Sequence, residues 1–140
     1  MKTLIIGGVA AGAGAAARLR RLDESMEIIL LERGSYISYA NCGLPYHLGG
    51  VIPERDSLLV MPEKKFRAWF NIEIRTRNEA IAVDRVRKTV AVRRADGSEY
   101  EESYDKLLLA TGSRPAGLRQ RKENSFKSTA PTWPLKRLAK

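Results

Sequence analysis

The only cysteine, Cys42, lies in the stretch Ser38-Tyr39-Ala40-Asn41-Cys42-Gly43-Leu44-Pro45-Tyr46-His47-Leu48-Gly49-Gly50. One cysteine cannot form an internal disulfide, so its sulfur is a free thiol, an intermolecular partner or a reactive group. Asn41 is a good helix N-cap, which would set Cys42 in the first turn of a short helix. Unbonded N–H groups and the positive dipole end favour thiolate there. Pro45 is tolerated in such a turn. The local pattern therefore predicts an activated thiol rather than a buried apolar cysteine. His47 would not face Cys42 along a helix, so no Cys–His dyad is expected. Tyr36, Tyr39 and Tyr46 read as packing residues.

A second chemistry-bearing run is Gly7-Gly8-Val9-Ala10-Ala11-Gly12, directly after the apolar segment Thr3–Ile6. A dinucleotide site needs a glycine turn at a strand end, minimal side chains where backbone meets pyrophosphate, and a helix N-terminus aimed at that charge. Gly7 and Gly12 match the outer glycines of G-x-G-x-x-G, with Val9 at the middle position. A shifted match over Gly12-Ala13-Gly14 would leave five residues between strand and turn, and is rejected. Glu32 follows 20 residues after Gly12, where a carboxylate accepts hydrogen bonds from ribose hydroxyls.

The elements that must position these groups are legible from period. Thr3–Ile6 and Glu27–Glu32 read as buried parallel strands, with an Ala/Gly-rich helix over Ala10–Leu22 between them. Gly34–Gly50 reads as a long loop with short helical content. Pro62–Phe70 reads as an amphipathic helix with Phe66, Trp69 and Phe70 turned inward. Period two then predicts strands at Ile72–Ile74, Ala80–Val83 and Thr89–Val92, an Asp96-Gly97 hairpin turn and a return strand at Glu99–Tyr104. Lys106–Ala110 reads as a last buried strand. The expected fold is α/β: a parallel sheet with an antiparallel β-meander inserted before its final strand.

The 140 residues carry a net charge of +9. Residues 1–115 hold 18 basic and 15 acidic side chains, whereas 116–140 hold 7 and 1. The excess thus sits in a tail without periodicity, aromatic interleaving or recognition motif, and no specific nucleic-acid function is expected. Residues 1–115 read as one domain. Residues 116–140 read as an irregular basic extension, either disordered or translated out of frame. No apolar run reaches membrane-spanning length, and the first strand leaves no room for a signal peptide. A cytoplasmic location is expected.

The runs GGVAAG, RLRRLDE, SYANCGLPYHLGG and EESYDKLLLATGSRP, in this order and spacing, resemble the single-cysteine pyridine nucleotide–disulfide oxidoreductases over residues 1–115. That group includes coenzyme A-disulfide reductases, NADH oxidases and peroxidases, and polysulfide reductases. The resemblance implies a Rossmann-like FAD/NAD(P)-binding domain using FAD, with NAD(P)H as reductant and a homodimer in the complete enzyme; no metal is implied. Cys42 resembles the redox cysteine, with Asn41 beside it. Gly7, Gly8, Ala10, Ala11 and Gly12 resemble the FAD pyrophosphate loop, and Glu32 and Arg33 the adenosine end. Ala80, Ala110, Thr111 and Gly112 resemble further FAD contacts. Arg18, Arg21, Ser38 and Asn41 match positions that hold coenzyme A, whereas Gly14 stands where a helpful side chain is often found. Arg18 and Arg21 share a helix face and could meet one phosphate-rich ligand. The substrate implied is coenzyme A disulfide, polysulfide, peroxide or oxygen. The family's second glycine fingerprint, later FAD segment and dimerisation domain have no counterpart in the 140 residues. The alternative from another class is a noncatalytic flavin-binding module or the product of a disrupted gene.

Overall fold

The structure is a computed structural model that describes residues 1–113; the reading of 116–140 as a basic extension lies outside them. Strand β1 (Lys2–Ile6) leads into helix α1 (Ala10–Leu22) and strand β2 (Glu27–Glu32). A 3₁₀ turn at Asn41–Gly43, helix α2 (Leu44–Leu48) and a second 3₁₀ turn at Arg55–Leu58 follow. Helix α3 (Glu63–Phe70) then precedes β3 (Glu73–Thr76), β4 (Asn78–Asp84), β5 (Thr89–Arg94), β6 (Glu99–Ser103) and β7 (Lys106–Leu109). The first sheet is parallel, in the order β3-β2-β1-β7, and the second is an antiparallel meander, β4-β5-β6.

The continuous apolar run of β2 follows from burial of both sheet faces. Ile28 and Leu30 pack with Ala13 and Ala16 of α1 and Phe66 of α3. Ile29 and Leu31 pack on the opposite side against Val90 and Val92 of the meander. The meander is thus a lid on the second face of the parallel sheet. Its hairpin uses Gly97 at φ +84°, with the Ser98 N–H donating to Asp96 Oδ1 at 2.9 Å, the short polar turn that Asp-Gly favours.

An ion-paired network ties the two sheets together. Glu102 of β6, 9% exposed, accepts hydrogen bonds from Lys2 of β1 and Arg75 of β3. Arg75 also donates to the Tyr100 hydroxyl at 3.0 Å.

Two packing expectations are corrected. Phe66 and Phe70, four residues apart on α3, form the inward pair, their ring centroids 4.8 Å apart. Trp69 lies on the flank of that stripe and is exposed, with Lys65 Nζ 4.6 Å from its ring centroid. Tyr36 and Tyr46 are also exposed rather than packed, Tyr36 on the surface loop after β2 and Tyr46 on α2, a short helix with no buried residue. Tyr39 is half-buried and pairs with Leu59 as an isolated antiparallel bridge.

Candidate functional site

The turn from β1 into α1 is held by its neighbours' backbones. The Gly7 N–H donates to the Leu31 carbonyl, the Ser38 N–H to the Gly8 carbonyl, and the Ala110 N–H to the Ile6 carbonyl, each at 2.8 Å. Gly7 has φ +102°, and a Cβ there would lie 2.2 Å from the Ala110 carbonyl oxygen. A Cβ on Gly12 would lie 1.7 Å from the Gly7 carbonyl oxygen. Only glycine allows strand, turn and helix to meet this closely.

The start of α1 carries no acidic residue and no side-chain cap. The Ala13 N–H donates to the Val9 carbonyl at 3.2 Å, so the N–H groups ahead of it in the first turn have no intrahelical partner. They present donors and the positive end of the helix dipole. Ala11 is exposed at this end, and Gly8 is buried behind it.

Glu32 lines a cleft beside this turn, whereas Gly8, Ala11 and Gly12 are not among its lining residues and Ala10 lines the cysteine pocket instead. Glu32 Oε2 accepts from the Gly8 N–H at 2.8 Å and its Oε1 from the Gly34 N–H at 2.6 Å. Each oxygen retains a second acceptor site. Glu32, Arg33, Gly7, Ala80, Ala110, Thr111 and Gly112 border one cleft of about 400 Å³. With Asn41, five separate chain segments converge here. The motif reading missed Ile6, Val9, Leu31, Asn78, Glu79 and Ser113, which also line the cleft. Val9 sits inside the glycine run, while Asn78, Glu79 and Ser113 carry no local signal beyond adjacency to Ala80 and Gly112.

A second pocket, of about 620 Å³, holds Cys42, which is exposed to it. Its walls are nearly all apolar: Val9, Ala10, Ala13, Gly14 and Ala17 of α1, Val60 and Met61, and Phe66 and Phe70 of α3. Ser38 (φ +53°) and Asn41 complete it. Val9 and Asn41 border both the cleft and this pocket.

The expected cap is not formed. Asn41 lies inside the 3₁₀ turn rather than ahead of a helix and makes no capping hydrogen bond; α2 begins only at Leu44, with Gly43 as its N-cap residue. Gly43 is buried, and a Cβ there would lie 2.6 Å from Leu58 Cδ2, so the turn packs closely on Leu58. Cys42 is therefore presented by a turn, not by a helix dipole. Pro45 does occupy the first turn of α2. His47 Nδ1 lies 2.7 Å from the Ile52 carbonyl oxygen, tied into the loop.

Arg18 and Arg21 are exposed on α1 and line neither the cleft nor the cysteine pocket. Arg21 packs its guanidinium 5.7 Å from the centroid of Phe70, on the outer side of the pocket wall. The intervening Arg20 is a structural clamp, donating to the carbonyls of Phe70 and Asn71 at 2.8 Å.

A parallel sheet with a glycine-turned helix N-terminus at its edge and a carboxylate at the end of the second strand is the fold class of the dinucleotide-binding domains. The chain belongs to the pyridine nucleotide-disulphide oxidoreductase family, whose description matches residues 1–131. It is 42% identical over 113 residues to the coenzyme A disulfide reductase of Staphylococcus aureus (strain JH9), covering 80% of this chain and 26% of that protein. Among solved structures it is similar to the reduced CoADR-RHD of Bacillus anthracis, at 47% identity and TM-score 0.80, over 82% of this chain and 21% of that one. The NAD-dependent persulfide reductase of A. fulgidus is similar at 45% identity and TM-score 0.79, over 83% and 22%. The chain thus spans about a quarter of the length of the curated relatives it matches. Among the described residues no helix is long and apolar enough to cross a membrane.

Proposed function

We propose that this chain carries the FAD-binding and thiol-bearing portion of an NAD(P)H-dependent disulfide reductase acting on a small-molecule disulfide, coenzyme A disulfide first among them. One observation carries the reading: Val9 and Asn41 are common to the nucleotide-sized cleft and to the pocket of Cys42, so a cofactor in the cleft borders the thiol.

The residues present fit FAD. Gly7 and Gly12 let strand, turn and helix close on one another, a Cβ at either meeting the backbone of Ala110 or of Gly7, and this brings the start of the helix to the strand end. The unbonded N–H groups of Ala10, Ala11 and Gly12 suit a pyrophosphate, with Gly8 supporting them. Glu32 is an acceptor for ribose hydroxyls with Arg33 beside it, and Ala80, Ala110, Thr111 and Gly112 border the rest of the cleft. Bound there, FAD supplies the two-electron carrier that this chain's side chains lack.

Cys42 does the sulfur chemistry. Its thiolate attacks one sulfur of R–S–S–R′, forming a Cys42–S–S–R mixed disulfide and expelling R′S⁻, which takes a proton from solvent. Two electrons and a proton then return Cys42 to thiolate and release RSH. The apolar pocket walls suit an extended thiol arm, with Ser38 and Asn41 at the sulfur end; Arg18 and Arg21 lie outside the pocket on the exposed side of α1, where only a ligand that extends past the pocket would meet them. The similarity to a coenzyme A disulfide reductase supports the same substrate class.

The test is to add coenzyme A disulfide to the reduced chain and weigh the product. One coenzyme A adduct on Cys42, absent from Cys42→Ser, is expected. Titration with FAD should quench flavin fluorescence, and Glu32→Ala should weaken binding roughly tenfold through lost charge-assisted hydrogen bonds. An unmodified Cys42, or FAD fluorescence unchanged by the wild-type chain, would overturn the reading.

A further inference from the structure

Beside the cleft lies a separate concavity of about 340 Å³ whose rim bears Arg33, Arg77, Arg93 and Arg94, with Glu79 as its one carboxylate. It shares Arg33 and Glu79 with the cleft and no residue with the cysteine pocket. We infer that this basin is an anion site for a compact polyphosphate group, distinct from the site of thiol chemistry.

The four arginines come from three segments that the fold brings together; Arg93 and Arg94, successive on β5, point to opposite faces of the meander, Arg93 across from Glu79 and Glu99 and Arg94 onto Tyr100. Arg33 follows β2, Arg77 joins β3 to β4, and Arg93 and Arg94 end β5. The first two segments are bonded to each other, the Arg77 N–H donating to the Gly34 carbonyl at 3.0 Å. Arg94 is held in place, its Cζ 4.2 Å from the Tyr100 centroid and its Nη1 donating to Ser98 Oγ at 3.1 Å. Arg93 is paired with Glu99 at 3.0 Å. Among the described residues, Arg33 and Arg77 have no carboxylate partner within salt-bridge distance. The lining therefore carries a surplus of positive charge in a concave space.

The backbone of Arg77 is left-handed at φ +56°, as is that of Lys88 at φ +51° in the β4–β5 turn, a cost that falls on the Cβ and not on side-chain length. What Arg77 brings to the basin is its guanidinium at the rim, without a carboxylate partner among the described residues. Guanidinium forks match phosphate oxygens in pairs, and a concavity of this size suits a small multiply charged group better than the broad, flat face of a protein partner.

The experiment uses the full chain, with inorganic tripolyphosphate as probe and isothermal titration at low ionic strength. The expected result is saturable binding of one anion per chain, weakening with added salt. Arg77→Gly relieves the backbone and should preserve the fold, which a thermal melt checks, while weakening tripolyphosphate binding roughly tenfold. Arg87→Gln removes an equal charge from the Arg87–Glu101 pair outside the basin and should leave binding unchanged. A parallel titration with ATP distinguishes two sources of the same chemistry: tighter binding than tripolyphosphate assigns the basin to nucleotide phosphates, and equal binding to free polyphosphate. If Arg77→Gly binds as well as wild type, or Arg87→Gln weakens binding as much as Arg77→Gly, general charge attraction explains the result and the basin is not a site. Cys42 reactivity is unaffected either way, so this test and that of the disulfide reductase reading fail separately.

Discussion

Gly12 and Gly14 stand two residues apart on α1 and serve opposite purposes. A Cβ on Gly12 would overlap the Gly7 carbonyl, whereas one on Gly14 would meet nothing within 4 Å. Glycine inside a helix costs about 1 kcal/mol relative to alanine, so Gly12 is retained by backbone contact, while Gly14 stabilises nothing and only leaves the wall of the Cys42 pocket open. Gly12→Ala should destabilise the domain by about 1–3 kcal/mol through forced backbone movement. Gly14→Ala should stabilise it by about 1 kcal/mol, raising the melting temperature by roughly 4 °C or more. Circular dichroism melts of the two variants check this; equal shifts of the same sign would contradict it. The motif spacing made Gly7, Gly12 and Glu32 legible in the sequence because each answers a local requirement of one βα turn. Asn41 misled because capping propensity describes a helix start, and here a 3₁₀ turn over Asn41–Gly43 precedes the helix, which begins only at Leu44.

Glu102 decides how the meander attaches to the parallel sheet. Burial pushes its carboxyl up, but hydrogen bonds from Lys2 and Arg75 and their charges outweigh burial and hold it below the usual 4.5. Lys2 is raised above 10.5, chiefly by its hydrogen bond to Glu102 and against some desolvation. A lowered carboxyl contributes stability above its unfolded value and loses it as pH falls through the folded one; a raised amine contributes below its unfolded value and loses it as pH rises through the folded one. The pair therefore stabilises the docked meander between about pH 4.5 and 10.5. Glu102→Gln should cost about 1–3 kcal/mol near neutral pH, and the gap between variant and wild type should close as pH falls below 4.5. Urea midpoints across that range measure it; a gap independent of pH would remove Glu102 from this role. The strands on either side were readable because period two and the apolar run Ile28–Leu31 of β2 report burial directly. Trp69 was not, since α3 has two turns and its apolar stripe is filled by Phe66 and Phe70. The Arg55–Leu58 turn has no periodic signal at all.

Across the whole domain, the cleft is a product of topology. Gly7 and Glu32 come from adjacent parallel strands, Ala80 from the meander and Ala110–Gly112 from beyond the last strand. The last two segments became readable only through resemblance, because nothing local in them marks a ligand. The arginine basin was unreadable for the same reason: its charges are distant in sequence and adjacent only after folding. A cleft assembled from five segments, Asn41 supplying the fifth, links ligand binding to global stability, since unfolding any one of them dismantles it. FAD at one hundred times its dissociation constant should therefore stabilise the folded chain by about 2.7 kcal/mol, seen as a higher melting temperature. Gly7→Ala, whose Cβ would strike the Ala110 carbonyl, should abolish that gain. A melting temperature unmoved by FAD would show that the cleft does not hold the cofactor.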